Sequence, residues 1–368
     1  MPDRPMLTPL VDALPETVPF VGPETQERAR GAPFRARIGA NENGFGPSPN
    51  VVAAMADAAP DMWKYCDPEN FDLKAALATY HGVSPENITV GEGIDGLLGL
   101  TVRQYVEPGA PVVSSLGAYP TFNYHVAGFG GRLVTVPYLQ DREDPEALLD
   151  AVRRESPPLV YFANPDNPMG TWWSADDVVA FMDALPQTTL LVLDEAYGEF
   201  APEGTMPPLD VSRPNVLRFR TFSKAYGLAG LRCGYCIGEA SVVRAFDRVR
   251  NHFGMTRMTQ AACLAALADQ DHLRQTIANV AACRERIAAI AAEHSLSSLP
   301  SATNFVAIDC GGGGGEHAQN VMNGLIEDGI FVRKPFAPGL DRCIRVSCGP
   351  EADMAAFGEA LGRVLAAL

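Results

Sequence analysis

Seven short apolar runs separated by helical patterns constrain this chain more than any other feature. They are NITV (Asn87–Val90), APVVSS (Ala110–Ser115), GRLVTVPY (Gly131–Tyr138), PLVYFAN (Pro158–Asn164), TTLLVLDEA (Thr188–Ala196), NVLRFRTFS (Asn215–Ser223) and RCGYCIG (Arg232–Gly238). As a group they lack the polar alternation of a strand with one wet face, which predicts burial on both faces, as in a mostly parallel sheet. Between them lie helical stretches such as SADDVVAFMDAL (Ser174–Leu185), opened by a Ser cap and first-turn acids. Strand–helix alternation of this kind predicts an α/β domain with right-handed crossovers.

The texture changes after about Glu239. Ala-rich helices are expected at Thr259–Ala268 and Asp271–Ser295, then two strands, Thr303–Cys310 and Ile344–Cys348, around one more helix. That reads as a second, smaller α+β domain. The chain of 368 residues is long enough for two, since single cores stop growing near ~250–300 residues. The expected division is an extended N-terminal arm (1–45), a large domain (46–240) and a small domain (241–368), with the arm packing on the small domain or a partner subunit. GGGGG (Gly311–Gly315) resembles a phosphate loop but lacks the Lys-Ser/Thr pair such a loop needs, so a turn is expected.

A formal charge of -15 argues against nucleic acid or an anionic membrane as partner, because both require a positive surface. Any phosphate must be held by a local cluster of donors. The first residues, MPDRPMLTPLVDALPETVPF, lack the continuous apolar core of a signal peptide, and no run of some ~18 apolar residues suggests a membrane span. Eight cysteines are scattered without the dense framework of a small secreted domain. A cytoplasmic protein with free thiols is expected. Cys233 and Cys236 form C-x-x-C, but three positions apart on a strand face opposite sides, so no metal site is expected.

Five motifs carry the chemistry. VGEGIDGLLGL (Val90–Leu100) is a strand, a Gly-rich turn and a helix, which leaves backbone N–H groups aimed at any arriving anion. NPDNP (Asn164–Pro168) makes a stiff corner after a strand, either a plain turn or a mount for Asn167 as a donor. LLVLDEAYGEF (Leu191–Phe200) ends an apolar run on Asp194, a helix cap or a carboxylate that needs a partner. TFSKAYGLAGLRCGY (Thr221–Tyr235) contains Ser223, Lys224 and Arg232 in a chain where lysine is scarce. RCIRVSCG (Arg342–Gly349) sets Arg345 between Ile344 and Val346, where an arginine meets a carboxylate or phosphate or else faces solvent from an edge strand.

Their order is more informative than any one of them. An asparagine, an aspartate 27 residues later, a lysine 30 after that and then an arginine meet the needs of pyridoxal phosphate. Its aldehyde needs a lysine, its ring nitrogen an acid, its ring oxygen neutral donors, and its phosphate N–H groups, a hydroxyl and an arginine.

With these motifs the chain resembles the fold-type I pyridoxal-phosphate aminotransferases, most of all the histidinol-phosphate aminotransferase branch and its aromatic-aminotransferase relatives. The likeness runs from GANENGFGPSP (Gly39–Pro49) through WKYCDPEN, VGEGID, NPDNPMG, LDEAYGEF and TFSKAYGLAGLRCGY to IRVSCG. It implies a three-layer α/β/α large domain on a mostly parallel seven-stranded sheet, a smaller α+β domain, and a homodimer with shared active sites. It implies that Lys224 forms the Schiff base and later moves the substrate proton, that Asp194 pairs with the ring nitrogen, and that Asn167 and Tyr197 meet the ring oxygen. Gly93, Ile94 and Asp95 would form the phosphate cup with Ser223 and Arg232, and Tyr119 would stack on the ring, with Phe122 competing for that place. Tyr65 would reach the phosphate of the other subunit's cofactor. Arg345 would hold the substrate carboxylate, and Asn304, Asn43 and Phe20 would border that pocket. The implied reaction is ping-pong amino transfer to a 2-oxo acid.

The substrate side departs from the family. In the histidinol-phosphate branch a tyrosine near the N-terminus helps bind the substrate phosphate, whereas VPFVGPE (Val18–Glu24) offers Phe20. NENG replaces Asn-Glu-Asn-Pro, and Gly96 stands where an acid is common. Arg35, Arg37, Arg333 and Lys334 could meet a phosphate or simply be solvated. The main reading is histidinol-phosphate/2-oxoglutarate transfer, and the rival is an aromatic or broad-range amino acid substrate. A phosphothreonine-type decarboxylase and a non-catalytic cofactor-binding regulator are the further alternatives.

Overall fold

The computed structural model describes residues 5–16, 20–312 and 314–368. Parts of the expected arm (1–4 and 17–19) and Gly313 of the glycine run lie outside them. The strands in chain order are β1 (Ala36–Arg37), β2 (Ile88–Gly91), β3 (Pro111–Ser115), β4 (Arg132–Val136), β5 (Leu159–Ala163) and β6 (Leu190–Asp194). They continue with β7 (Val216–Thr221), β8 (Gly234–Ile237), β9 (Ser297–Ser298), β10 (Phe305–Asp309), β11 (Ile330–Phe331) and β12 (Cys343–Ser347).

Seven strands form one sheet in the order β2-β8-β7-β6-β5-β3-β4. All are parallel except β8, which runs antiparallel to both β2 and β7. The missing polar alternation has its explanation in β5. Leu159, Tyr161 and Ala163 pack into a core on one face with Leu97, Val192 and Phe219. Val160 and Phe162 pack into another on the opposite face with Phe181 and Leu193. Covering helices seal both faces, so truncating Phe162, which is fully buried, should cost about 3–5 kcal/mol.

The helix Ala175–Ala184 begins where the sequence marks it: Ser174 accepts from Asp177 N while the Asp177 carboxylate accepts from Ser174 N. The helix Gly93–Tyr105 differs, with no side-chain cap on its first turn.

The C-terminal region holds helices Arg257–Ala268 and Gln270–Glu293, a three-stranded antiparallel sheet β12-β10-β9, and helices Gly315–Glu327 and Glu351–Ala367. On β12, Ile344 and Val346 enter the core, so the intervening Arg345 points the other way. Two features differ from expectation. The last helix, Glu351–Ala367, was not expected; it packs on helices Gln270–Glu293 and Gly315–Glu327, with Phe357 and Leu361 in the shared core. The arm is not extended throughout: it contains short helices at Pro9–Asp12 and Pro23–Arg30. The latter starts on Pro23 and stops at Gly31, whose φ of 72° ends a helix without strain. Beyond it, β1 pairs in parallel with β11, tying the arm to the C-terminal region.

Candidate active site

The turns that follow the parallel strands converge on one cavity of about 540 Å³. This is the edge of an open α/β sheet where ligands bind. Asp194 ends β6, Asn167 follows β5, and Ser223 and Lys224 follow β7. All four line the cavity with Ile94, Asp95, Tyr119, Tyr197, Arg232, Arg345 and Phe20. Residues more than 300 positions apart in the chain are thus brought to one wall.

Asp194 is buried among apolar side chains, with Tyr161 Oη donating to one carboxylate oxygen at 2.7 Å and Ala196 N to the other at 3.0 Å. Burial pushes its pKa up to about 6, against the pull of those two donors. A positive charge placed against Asp194 would restore the carboxylate.

Lys224 keeps some solvent contact through the cavity, yet burial first, and then the nearby Arg345, lower its pKa to about 8. Its Nζ donates to the Asn41 carbonyl at 3.1 Å. Of the four lysines, Lys64, Lys74, Lys224 and Lys334, it is the one at the cavity wall. A half-neutral amine near pH 8 is a usable nucleophile and base.

Tyr197 Oη accepts from Asn41 Nδ2 at 2.9 Å, and burial raises its pKa. Asn167 Oδ1 accepts from Arg345 Nη1 at 2.5 Å, which leaves the amide nitrogen of Asn167 free to turn to the cavity. Arg345 Nε has no partner among the described residues. A guanidinium in that state suits an incoming anion.

The start of helix Gly93–Tyr105 forms the other end of the cavity. Gly93 has φ 77°, and a Cβ there would lie 2.5 Å from Arg232 Nη2. Only glycine leaves room for the arginine to cross the helix start. Arg232 reaches Asp95 at 3.3 Å, and Tyr119 Oη donates to the other Asp95 oxygen at 2.6 Å.

Not every expected residue lines the cavity. Phe122 is fully buried and stacks on Tyr161 at 4.6 Å, leaving Tyr119 as the aromatic at the wall. Asn304 is buried behind the wall, donating to the carbonyls of Asn41 and Glu42. Asn43 donates to the Ala225 carbonyl. Tyr65 is 78% exposed and packs on Phe253 at 4.8 Å, away from the cavity. Arg35 and Arg37 pair with carboxylates, Lys334 donates to the Gly315 and Asp341 carbonyls, and Arg333 lies 3.7 Å from the Phe20 ring centroid.

Two residues the sequence reading passed over belong to the site. Tyr161 sits inside a run that reads only as buried strand. Asn41 lies in the quoted GANENG stretch, where Asn43 drew the attention. Its sole sequence signal is that asparagine tolerates the left-handed backbone, and Asn41 has φ 56°. Cys233 and Cys236 pack into separate cores, and all eight cysteines are free and buried.

Comparison with known proteins agrees with this architecture. The histidinol-phosphate aminotransferase 1 of Mesorhizobium japonicum is 36% identical over 350 residues, 93% of this chain and 94% of that protein. The crystal structure of histidinol-phosphate aminotransferase from Sinorhizobium meliloti in complex with pyridoxal 5'-phosphate is 59% identical, with a TM-score of 0.96 over 98% of each chain. Aspartate aminotransferase from Thermus thermophilus with maleate, 22% identical, shares the fold at a TM-score of 0.82 over 98% of this chain. Residues 37–363 match the family described as aminotransferase class I and II, and the chain belongs to that family.

Proposed function

We propose that this protein is a pyridoxal 5'-phosphate-dependent aminotransferase that moves an amino group between histidinol phosphate and a 2-oxo acid of the 2-oxoglutarate type. The observation that carries the reading is one cavity lined by Lys224, Asp194, Asn167, Tyr197 and Arg345. The uncapped start of helix Gly93–Tyr105 lies at one end of it.

The residues fit the cofactor. Lys224 would hold its aldehyde carbon, Asp194 would face the ring nitrogen, and Asn167 and Tyr197 the ring oxygen. Gly93, Ile94, Asp95, Ser223 and Arg232 would hold the phosphate, and Tyr119 would lie against the ring. When bound, the cofactor supplies an electron sink for the pair released as a bond to the substrate Cα breaks. Asp194 keeps that sink effective by keeping a proton on the ring nitrogen. Arg345 would orient the substrate by its anionic group, and the Lys224 amine would be placed to take up the Cα proton and hold it for the next transfer.

Substrate choice follows from charge at the mouth. The backbones of Arg333 and Arg345 face each other across an isolated antiparallel bridge, and the Arg333 guanidinium lies against the Phe20 ring rather than a carboxylate. The carboxylate next to the reacting carbon of a 2-oxo acid or amino acid needs one guanidinium. The phosphate of histidinol phosphate is dianionic and stands farther from Cα, so it can use both. Phe20 without a hydroxyl favours the second reading, an aromatic or broad-range amino acid donor.

In this reading segment 46–240 carries the cofactor, and segment 241–368 closes over it with the arm, 1–45. The chain would act as a homodimer in which Tyr65 of each copy reaches the cofactor phosphate of the other. Trp63 and Tyr65, 81% and 78% exposed, are apolar surface of the kind such an interface covers. No helix among the described residues is long and apolar enough to cross a membrane, and free buried thiols accord with a cytoplasmic setting.

The test is a half-reaction screen. The cofactor-loaded protein is mixed with histidinol phosphate and with each amino acid, and conversion to pyridoxamine phosphate is followed. Histidinol phosphate and glutamate should convert it. Inert histidinol phosphate beside reactive phenylalanine or tyrosine would replace the first reading with the second.

A further inference from the structure

We propose that Asn41 is a positioning residue that sets the hydrogen-bond direction of Tyr197 and the placement of the Lys224 amine. The inference rests on the reading above and adds a residue to it.

Each polar group of Asn41 has a partner. Its N–H donates to Ser347 Oγ at 3.0 Å, and its Oδ1 accepts from that hydroxyl at 3.4 Å. Its carbonyl accepts from Lys224 Nζ and from Asn304 Nδ2, both at 3.1 Å. Its Nδ2 donates to Tyr197 Oη at 2.9 Å. The residue is 3% exposed and holds φ 56°, a left-handed backbone that asparagine tolerates better than most residues. An asparagine shaped only by the turn would not need its amide buried against a tyrosine of another segment.

The consequence concerns proton direction. A hydroxyl that accepts from Asn41 has its own proton free to point elsewhere, and Tyr197 lines the cavity. Accepting one hydrogen bond also makes the hydroxyl a stronger donor for the next. Asn41 therefore turns Tyr197 into a donor toward the place of the ring oxygen, while its carbonyl holds Lys224 Nζ at the same wall. Ser347 lies two residues beyond Arg345 on β12, so the segment is anchored to the strand that carries the anion-binding arginine.

The charged groups around these two side chains come from several elements. Lys224 feels Arg345 on β12, Asp95 on helix Gly93–Tyr105, Arg232 after the turn Ala229–Leu231, and Glu42 beside Asn41. Tyr197 feels Arg345, Asp194 on β6 and Asp166 in the turn after β5. The substitutions below leave all of them in place.

Two variants of the full chain separate the role from mere folding. Asn41→Asp keeps the size and left-handed backbone but lacks the amide donor, and its carboxylate competes for the Tyr197 proton. Asn41→Gly keeps the backbone and its carbonyl at Lys224 but has no side chain, and glycine adopts this φ freely. The readout is the pH midpoint of the bound cofactor's visible absorption, without substrate, followed by kcat and KM for the 2-oxo acid. The midpoint should rise by about one pH unit in Asn41→Asp and by about half a unit in Asn41→Gly, a three- to tenfold change in proton affinity. Values of kcat should fall while KM holds, because Arg345 is untouched. Variants that bind cofactor with the wild-type midpoint and kcat would overturn the role. A wild-type protein showing no cofactor band would overturn the cofactor reading itself, and with it the role of Asn41.

Discussion

Asp194 and Tyr197 at the floor of the cavity are buried and fixed by donors from other segments, Tyr161 and Asn41. Phe20 at the mouth is 53% exposed and rests on the guanidinium of Arg333. The floor is built on the ends of strands whose two faces are both packed, so its side chains are held within narrow limits. The mouth is built from an arm joined to the C-terminal region through the two-residue pairing of β1 with β11. In the proposed function the floor would determine which bond breaks, and the mouth which molecule is offered. The first calls for rigidity, and the second tolerates exchange.

Substitutions should respect that division. The largest effect is expected at the floor: Asp194→Asn removes the charge facing the ring nitrogen and should lower kcat by about 10³-fold. Comparable losses of kcat at Phe20 would erase the distinction.

Next comes a change in stability. Folding takes the Lys224 pKa from 10.5 to about 8, so between those values the unfolded chain binds a proton that the folded chain does not. Stability of the cofactor-free protein should therefore rise with pH across that interval, and the folded state is penalised fully below it. Lys224→Met removes the penalty and should stabilise the cofactor-free chain by up to about 2–3 kcal/mol at pH 7, a gain that vanishes above the unfolded value. Thermal unfolding at pH 7 and pH 11 measures it.

Between floor and mouth, Arg345→Lys loses the planar fork and should reduce kcat/KM for the 2-oxo acid about 10²-fold. The smallest effect belongs to the mouth. Arg333→Gln should lower kcat/KM for histidinol phosphate about tenfold and that for glutamate, whose distal carboxylate carries a single charge, less. Equal losses for both donors would show that mouth and floor are not separable.

The same division decided what the sequence made legible. Seven apolar runs located the seven sheet strands, because a strand buried on both faces has few other ways to be written; the exception to that burial is the edge strand β4, which leaves Arg132 and Thr135 exposed. Asp194 and Arg345 were legible because each is a charged residue in an apolar strand, Lys224 because lysine is scarce in the chain, and Asn167 because it stands in a Pro-bounded corner after a strand. The last helix escaped notice because its Ala-rich face resembles any surface helix until its partners are known. Asn41 and Tyr161 escaped because their partners lie 156 and 33 residues away, and neither residue type is unusual where it stands. The helical turns in the arm depended on Gly22, Pro23 and Gly31, local signals that a reading of overall polarity passes over.

The reaction proposed for this chain requires that one lysine at the cavity wall, Lys224, carry the cofactor. With four lysines in the chain, reduction of the loaded protein with borohydride, digestion and mass spectrometry can examine each. A single phosphopyridoxyl adduct is expected, on the peptide containing Lys224 and absent from Lys224→Ala. An adduct on Lys64, Lys74 or Lys334 that survives that substitution, with Lys224 unmodified, would contradict it.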